Sequence, residues 1–596
     1  MRRSFVTKLA IVSILFVTWS TIAPVISFGA GPSNKPGPKV VSKGPTRVTA
    51  GRLATFVGSG PLTVLGVTWA KGSAHGQLDI RARYQASGAW SSWTNLGAQP
   101  DASEEEAPAA RRRGAPAERA GTEPIVVGQA TGYEVQVSVK GGGLPKDLQV
   151  VSVDASQTGA PPTSPANSAS AEGTRPWIYS RADWGADESK RNCTHPEMPS
   201  VKAVAVHHTA GNNGYTASQV PSIINGIYTY HTSGLGWCDI GYNVLVDRFG
   251  RLWEGRGGGL DRNVQPAAQM GFNMNTSAIS ALGNYSTSAA PSAMVDAIAR
   301  FASWRLGLAH VDPKGSTTLI SQGGSGNRYS YGQTVRLPTI FAHRDVGYTE
   351  CPGDNLYAAV PTIRSKARAY SGSAAIFDPS INFWRMSTND LPAFRINGST
   401  ASSQQVALQV TNAATGALVY SATTSSLWQK FSVIWDKRDA GGVVVPPGTY
   451  VMRVTSTSAT ASALPYSTTV QVTGTPVPPG DPAPEHPVNR TPGYFYTGTH
   501  AWFTSCGAYS TATRCYVQIY SSRWKRNNWA YTDQGYSSWQ GNRLAVTGRW
   551  SDGVHAYSTN CSPNVATGAR SCRTVVWDAN ARTWVIDSMV WLGDGR

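Results

Sequence analysis

A length of 596 residues excludes a single ordinary domain, and we expect roughly three to five. Charged residues make up only 15% of the chain, whereas Gly (61), Pro (37) and Trp (20) are abundant, which is typical of β-rich modules joined by linkers. The formal net charge of +17 favours anionic partners such as cell-wall polymers, membranes or nucleic acid, and charge alone does not select one of them.

The N-terminus has the pattern of a secretory signal peptide. Two arginines and a lysine precede an apolar run from Leu9 to Trp19, and small residues follow in the stretch ISFGAG. The apolar run is short for a membrane span, and no later stretch is suited to one. We therefore predict a signal peptide over residues 1–30, a secreted protein, and no transmembrane segment after cleavage.

Residues 45–155 are predicted to form an N-terminal β-sandwich-like domain. In LDIRARY (78–84) and YEVQVSV (133–139), apolar and polar residues alternate with the period of half-buried strands. Three tryptophans are predicted to fill its core, with sugar binding as the alternative: Trp69, Trp90 and Trp93.

A flexible linker is predicted over residues 156–174, because that segment is rich in Ser, Pro and Gly. Residues 175–370 then mix strand and helix patterns, which predicts an α/β domain. It has three predicted helices, at 216–231, 292–308 and 355–369, and a predicted hairpin at 241–256.

Three further segments are predicted after the α/β domain. Residues 372–474 resemble the small immunoglobulin-like modules of flagellar hook-cap and extracellular bacterial proteins, mainly through a turn rich in Asp and Gly followed by Pro-Pro-Gly within 431–454. Residues 475–492 form a Pro-rich linker. Residues 493–596 are predicted to form a Trp-rich β module that is cross-linked by disulfides.

The chain has an odd number of cysteines, seven. Outside the cytosol thiols tend to pair, so one cysteine is left over. The last module holds four of them, and among three possible connectivities we prefer the nearest neighbours, Cys506–Cys515 and Cys561–Cys572. Two more lie in the α/β block, and Cys351 is the one that remains.

Three stretches of the α/β block carry the chemistry: AVAVHHTAG (203–211), GWCDIGYNVLVDRFGRLWEGR (236–256) and FAHRDVGYTECPGD (341–354). In this order and spacing they resemble the zinc amidase family that includes peptidoglycan recognition proteins and amidase-type phage lysozymes. The resemblance covers 175–370 and implies a mixed sheet packed by helices. The expected fold class is multidomain, with a central α/β zinc amidase domain flanked by β-sandwich-like and small disulfide-stapled β modules.

The resemblance implies that His207, His343 and Cys351 bind zinc. The residue chemistry agrees, because a catalytic zinc takes three protein ligands with one open position and accepts imidazole and thiolate. His207 and His208 are neighbours in a strand, so only one of them can face the metal, and the family motif selects His207. The alternatives are a structural histidine pair and a cysteine that forms a disulfide or acts as a nucleophile.

The resemblance also implies a catalytic role for Tyr242 in the stretch DIGYN, where a core tyrosine is the alternative. The family's second assisting residue lies two positions before the last ligand and corresponds to Thr349. Some members have lysine there, so the general base stays open, with Glu254 and Glu350 as candidates.

Arg256 and Asn275 are candidate substrate-binding residues beside the cleft. The alternatives are a flexible glycine turn after Arg256 and an asparagine that caps a turn. Cys193 and Cys238 are predicted to form a disulfide that closes a loop of about 45 residues. The alternative, that Cys238 competes for zinc, has no counterpart in the family.

The resemblance, with the zinc chemistry of these residues, implies a zinc-dependent N-acetylmuramoyl-L-alanine amidase, which hydrolyses the amide between the lactyl group of muramic acid and L-alanine. The expected cofactor is Zn²⁺, and the expected partner is peptidoglycan rather than nucleic acid. We expect a monomer that is secreted and associated with the cell wall. The alternatives are a recognition protein that binds peptidoglycan without cutting it, and a cell-wall adhesin.

Overall fold

The computed structural model describes residues 37–99, 117–158 and 173–474, with short gaps at 196, 325, 389–392, 427 and 459–462. Beyond residue 474 it describes only the backbone of the strands between 493 and 592. The predicted signal peptide and most of both predicted linkers lie outside the described residues. No helix within the described part of the chain is both long and apolar enough to cross a membrane.

The N-terminal domain consists of ten strands that form one connected sheet with the central order β1-β10-β3-β9-β4-β5. The strands are β1 (Lys39–Lys43), β2 (Arg47–Thr49), β3 (Leu53–Ala70), β4 (Gln77–Ala86), β5 (Ala89–Trp90), β6 (Thr94–Asn95), β7 (Ala98–Gln99), β8 (Arg119–Thr122), β9 (Ile125–Lys140) and β10 (Gln149–Asp154). The long strands β3 and β9 pair antiparallel, with register shifts between Ser59 and Val64. The predicted strands are therefore present, but in one connected sheet.

The three N-terminal tryptophans have different environments. Trp69 is fully buried in the core of the domain, as predicted. Trp90 is 44% exposed, and the guanidinium of Arg83 lies 4.9 Å from the centre of its ring. The same guanidinium lies 4.9 Å from the ring of Trp93, so these two tryptophans stack with arginine rather than fill the core.

The central domain is built on a six-stranded mixed sheet with the order β11-β14-β13-β15-β12-β18, in which only the β13–β14 pair is antiparallel. Its strands, with a separate two-stranded β16–β17 sheet, are β11 (Ile178–Tyr179), β12 (Ala203–His208), β13 (Val244–Val246), β14 (Leu252–Glu254), β15 (Thr276–Ala281), β16 (Ser316–Ile320), β17 (Thr334–Pro338) and β18 (Ile340–Ala342). The helices are α1 (Val220–Thr229), α2 (Ser292–Gly307), α3 (His343–Val346) and α4 (Asp354–Tyr370). The three predicted helices and the hairpin are thus confirmed.

The two faces of the central sheet have different partners. Val204 and Val206 of β12 share a core cluster with residues of α2 and α4. Leu245 of β13 and Ala278 of β15 belong to a second cluster, which contains α1. Because side chains alternate along a strand, His207 faces away from α2 and α4.

All ten residues of α1 are buried. The helix lies between the sheet and the N-terminal domain, and a Cβ atom on Gly226 would lie 2.8 Å from Val64 of β3. The N-terminal domain contributes four residues to the core cluster around α1: Val64, Val126, Val151 and Val153. The N-terminal and central domains therefore share a hydrophobic core.

Residues 372–474 form two sheets, of three and five strands, around one apolar cluster, which agrees with the immunoglobulin-like prediction. Their strands are β19 (Ile376–Ile381), β20 (Arg385–Ser387), β21 (Phe394–Thr400), β22 (Gln405–Asn412), β23 (Leu418–Ser425), β24 (Lys430–Trp435), β25 (Gly448–Thr457) and β26 (Tyr466–Thr473).

The last module is an eight-stranded sheet that consists of two four-stranded meanders joined by the parallel pair of β30 and β34. Its strands are β27 (Gly493–Thr497), β28 (His500–Tyr509), β29 (Ala512–Tyr520), β30 (Trp524–Thr532), β31 (Gly548–Ser551), β32 (Ala556–Pro563), β33 (Arg570–Asp578) and β34 (Thr583–Leu592). Cys506 lies opposite Cys515, and Cys561 lies opposite Cys572, on neighbouring strands. This register is compatible with the two disulfides, which remain a prediction. The sequence repeats with the sheet, as HAWFTSC (500–506) and HAYSTNC (555–561).

Candidate metal centre

Two histidines meet at the carboxyl end of the central sheet. Strand β12 ends with His207 and His208, and His343 directly follows β18. The parallel register pairs Val206 with Ala342, so the next residues on the two strands, His207 and His343, lie side by side. The centres of their rings are 4.6 Å apart.

The loop after α3 brings Cys351 back to the same strand end. The backbone N–H of His208 donates to Cys351 Sγ at 3.4 Å, and the backbone N–H of Arg344 donates to the Cys351 carbonyl at 3.0 Å. The sulfur lies 3.7 Å from His207 Nδ1. Cys351 is the free cysteine among the residues with described side chains, and it is buried.

Gln269 determines which nitrogen of His207 faces this cluster. The Gln269 side-chain nitrogen donates to the Phe272 carbonyl at 3.3 Å and to Thr276 Oγ1 at 2.6 Å, so its oxygen is the atom that faces His207. That oxygen lies 3.0 Å from His207 Nε2, which must therefore carry the proton. The Nδ1 lone pair is left to point towards Cys351, as metal-binding histidines require.

A carboxylate from the N-terminal domain completes the cluster. Glu123, His207, His343 and Cys351 each offer one donor atom, and these atoms all lie within 4.8 Å of one another. His343 Nδ1 makes no hydrogen bond within the described residues, although Glu123 Oε1 lies 3.2 Å from it. The two atoms are thus placed as neighbours around a common centre.

The donor spacing fits a zinc ion. Bond lengths of about 2.0–2.1 Å to nitrogen and 2.3 Å to sulfur place tetrahedral donors roughly 3.3–3.6 Å apart. The measured Cys351 Sγ–His207 Nδ1 and His343 Nδ1–Glu123 Oε1 distances are 3.7 and 3.2 Å. Two imidazoles, a thiolate and a carboxylate are also the donor types that zinc accepts.

The electrostatics of the site favour a cation. Burial lowers the pKa of His207 well below its usual range, so the imidazole is neutral and available as a ligand. Burial, and then the charge of Glu123, raise the pKa of Cys351. A divalent ion would reverse this penalty, because a thiol that coordinates zinc loses its proton.

His208 lies behind the site, as predicted. Its Nδ1 accepts the backbone N–H of Tyr285 at 3.3 Å. Burial, and then the positive charge of Arg344, lower the pKa of His208 to about 3. His208 therefore remains neutral and acts in packing.

Tyr242 lies beside the cluster. Its ring centre is 5.5 Å from that of His207, and its side chain is only 2% exposed. Burial, and then the negative charge of Glu123, raise the pKa of Tyr242 well above its usual range. The phenol therefore keeps its proton at neutral pH and can donate a hydrogen bond.

Thr349 has a positional role in the structure. Its Oγ1 accepts the backbone N–H of Cys351 at 3.1 Å, which shapes the turn before the sulfur. A Cβ atom on Gly97 would lie 3.2 Å from the same oxygen, so Thr349 also lies against the N-terminal domain. The candidate bases Glu254 and Glu350 do not belong to the donor cluster.

The structure does not bring the two candidate substrate-binding residues to an open cleft. Arg256 is only 3% exposed and donates to the Ile240 carbonyl at 3.1 Å, so it supports the loop before Tyr242 from inside. Asn275 precedes β15 with a φ of 61°, in a turn at the end of the sheet opposite His207. The sheet end with Asn275 and the end with His207 are separated by four residues of strand, which corresponds to roughly 13 Å. Asn275 thus matches the turn alternative.

A disulfide joins Cys193 and Cys238, as predicted. Because the Cys238 sulfur is bonded to that of Cys193, the structure argues against the alternative that Cys238 binds zinc. The adjacent Asp239 is fully buried and accepts hydrogen bonds from Arg181 at 3.0 Å, from the Gly257 backbone at 2.8 Å and from His195 at 2.9 Å. This network holds the loop that carries Tyr242.

Comparison with known proteins agrees with this site. A family model described as N-acetylmuramoyl-L-alanine amidase matches residues 197–354, and one described as Rv3811 N-terminal galactose-binding domain-like matches residues 32–171. Peptidoglycan-recognition protein SC2 of Drosophila simulans is 32% identical over 31% of this chain and 85% of its own length. Peptidoglycan recognition protein 1 of Bos taurus is 30% identical over 31% and 82%, respectively.

Among solved structures, wild-type Drosophila PGRP-LB is similar, with 25% identity and a TM-score of 0.24 over 31% of this chain and 93% of that one. From the sequence matches, the chain belongs to the family of peptidoglycan recognition proteins and type 2 N-acetylmuramoyl-L-alanine amidases. It is a multidomain member with a galactose-binding-like domain before the amidase-type domain.

Sequence reasoning missed two residues of the site. Gln269 belongs to no motif, and its role follows only from its hydrogen bonds behind His207. Glu123 lies in another domain, 84 positions before His207, and no local pattern connects it to the histidines. Both residues are brought to the site by tertiary contacts.

Substitution Gln269→Leu is expected to weaken zinc binding by roughly 10–100-fold, because His207 loses the acceptor that fixes its tautomer. Competition with a chromogenic chelator would measure the affinity. The conservative variant Gln269→Glu keeps an oxygen acceptor and is expected to retain most of it. Equal affinity in the parent chain and the leucine variant would contradict the proposed orientation of His207.

Proposed function

We propose that the chain is a zinc-dependent N-acetylmuramoyl-L-alanine amidase that cleaves the bond between the muramic acid lactyl group and L-alanine in peptidoglycan. The observation that supports this most strongly is the convergence of two imidazoles and a free cysteine within 4.8 Å, next to a buried tyrosine. A member of this family that only bound peptidoglycan would have no need of such a donor set.

The ligands we propose are His207 through Nδ1, His343 through Nδ1, and Cys351 through Sγ. A zinc ion bound there would act as a Lewis acid towards the amide carbonyl and lower the pKa of water to about 7. Gln269 holds the His207 ring in its metal-facing tautomer. The backbone N–H of His208 donates to the sulfur and orients it.

Tyr242 is the residue we propose for stabilising the oxygen that gains charge as the amide carbon becomes tetrahedral. Its raised pKa keeps the phenol protonated, so it acts as a hydrogen-bond donor and not as a base. Removal of one such donor typically costs about 10²–10³-fold in turnover. For Thr349 we propose a role in positioning Cys351, because its Oγ1 accepts the Cys351 backbone N–H.

We further propose that the protein is exported and acts at the cell wall. The signal-like pattern of residues 1–30 supports export, and so does the Cys193–Cys238 disulfide, because disulfides persist in oxidising compartments. The net charge of +17 suits an anionic wall polymer.

Incubation of the zinc-loaded chain with purified peptidoglycan is expected to release new N-terminal L-alanine, and a chelator is expected to stop the release. The measurement should use the parent chain and its Glu123→Gln variant, because the Glu123 carboxylate lies among the donors. If both proteins bind peptidoglycan and neither releases alanine, the chain is a recognition protein and the amidase proposal is wrong.

A further inference from the structure

The N-terminal domain reaches into the metal centre through the turn between β8 and β9. Glu123 lies in this turn, and its carboxylate is 3.2 Å from His343 Nδ1. It is the fourth member of a cluster whose other three members belong to the central domain. Catalytic zinc sites keep one position free of protein ligands, whereas sites with four protein ligands are closed.

Backbone contacts between the two domains hold this turn on both sides. On one side, the Val126 N–H donates to the Ala210 carbonyl at 3.4 Å, and the Asn212 N–H donates to the Val126 carbonyl at 2.6 Å. On the other side, the Tyr230 hydroxyl lies 3.0 Å from the Thr122 carbonyl and donates to it. The hydrogen bonds of Thr122 and Val126 thus fix the position of Glu123, which lies between them.

The donors are shielded from solvent, and the cavity lined by Glu123 and its neighbours is small. Thr122, Glu123, Tyr242 and His231 line a cavity whose volume is about 10 Å³, which is room for one water molecule. His207 is fully buried, and Cys351 and His343 are 2% and 4% exposed. A muramyl peptide cannot reach these donors while the turn is in place.

We propose that the chain is latent as folded, with Glu123 as the fourth protein ligand of the zinc and the Thr122–Val126 turn as the cover of the substrate cleft. This inference rests on the proposed amidase function. It assigns the N-terminal domain a regulatory task. Turnover requires the turn to leave the cleft, so that water and substrate can take the place of the Glu123 carboxylate.

The test compares the full-length parent chain with Glu123→Gln, using two measurements. The first is the rate at which an excess of chromogenic chelator removes zinc, and the second is the release of N-terminal alanine from peptidoglycan. Both rates are expected to rise by roughly 10-fold or more in the variant, because a neutral amide is a poor zinc ligand. Glu134→Gln is the matched control, since Glu134 lies in the same domain and pairs with Arg83 outside the donor cluster.

Tyr230→Phe is a second variant that leaves every donor in place. It removes the hydroxyl that donates to the Thr122 carbonyl, and both rates are expected to change in the same direction by a smaller factor. This variant keeps the proposal testable if Glu123→Gln proves unstable.

Equal rates in the parent and both variants would overturn the latency proposal. A loss of alanine release in Glu123→Gln, with unchanged melting and zinc content, would also overturn it and make Glu123 a general base. Faster zinc removal in the variants, with no alanine release from any of the proteins, would support the Thr122–Val126 turn as the cover of the cleft. It would reject the amidase function.

Discussion

Substitution Cys351→Ser is expected to remove most of the bound zinc and all alanine release. The sulfur is one of three ligands from the central domain, and serine offers a hydroxyl that does not ionise readily beside a metal. The loss of affinity should exceed the roughly 10–100-fold that follows when an outer hydrogen bond to a ligand is removed. Elemental analysis of the purified protein measures the zinc content.

Tyr242→Phe is the matched variant for this experiment. Tyr242 contacts the site without donating to the metal, so this variant is expected to keep full zinc content and lose about 10²–10³-fold in alanine release. Both substitutions should be made in the parent chain and in the Glu123→Gln background. A Cys351→Ser protein with full zinc content and normal turnover would show that Cys351 is not a ligand.

Substitution Asp239→Asn is expected to destabilise the central domain by about 3–5 kcal/mol, because it leaves Arg181 without its buried carboxylate partner. Asp239 is fully buried and also accepts from His195 and the Gly257 backbone. Urea unfolding at neutral pH, followed by tryptophan fluorescence, measures the difference. Asp261→Asn is the control, since Asp261 is 67% exposed and its pair with Arg175 should contribute at most about 1 kcal/mol.

The difference between parent and Asp239→Asn should depend on pH. Burial alone would raise the pKa of Asp239, but the hydrogen bond from His195 and the charge of Arg181 lower it from 3.8 to about 2. A carboxyl whose pKa is lower in the folded chain contributes stability above its unfolded pKa and loses it as the pH falls. About 2 kcal/mol of the difference should disappear between pH 4 and pH 2, and a constant difference would contradict this account.

The sequence was most informative where chemistry is local. His343 and Cys351 lie eight positions apart, His207 ends a recognisable apolar strand, and the structure brings all three together. The free cysteine and the Cys193–Cys238 disulfide also follow the predicted pattern. Such motifs are readable because a strand end and one tight loop are enough to place the ligands.

The burial of α1 shows what the sequence pattern did not predict. The apolar residues Val220, Ile223, Ile224 and Ile227 correctly predicted an amphipathic helix, yet the structure buries every side of it. The second side is covered by the N-terminal domain, through contacts such as Gly226 against Val64. Helical periodicity records the residues that are apolar, but not which part of the chain covers them.

By itself, the sequence determined the family, the three central-domain residues that we propose as ligands, and the order of the galactose-binding-like and amidase-type domains. Only the tertiary structure showed that Arg256 is buried, that Asn275 lies at the sheet end opposite His207, that Gln269 orients His207, and that Glu123 joins the donor cluster. The physical reason is that contacts between separately folded surfaces depend on shape and hydrogen bonding over long chain distances. Those contacts have no short-range signature, and in this protein they place Glu123 among the three central-domain donors.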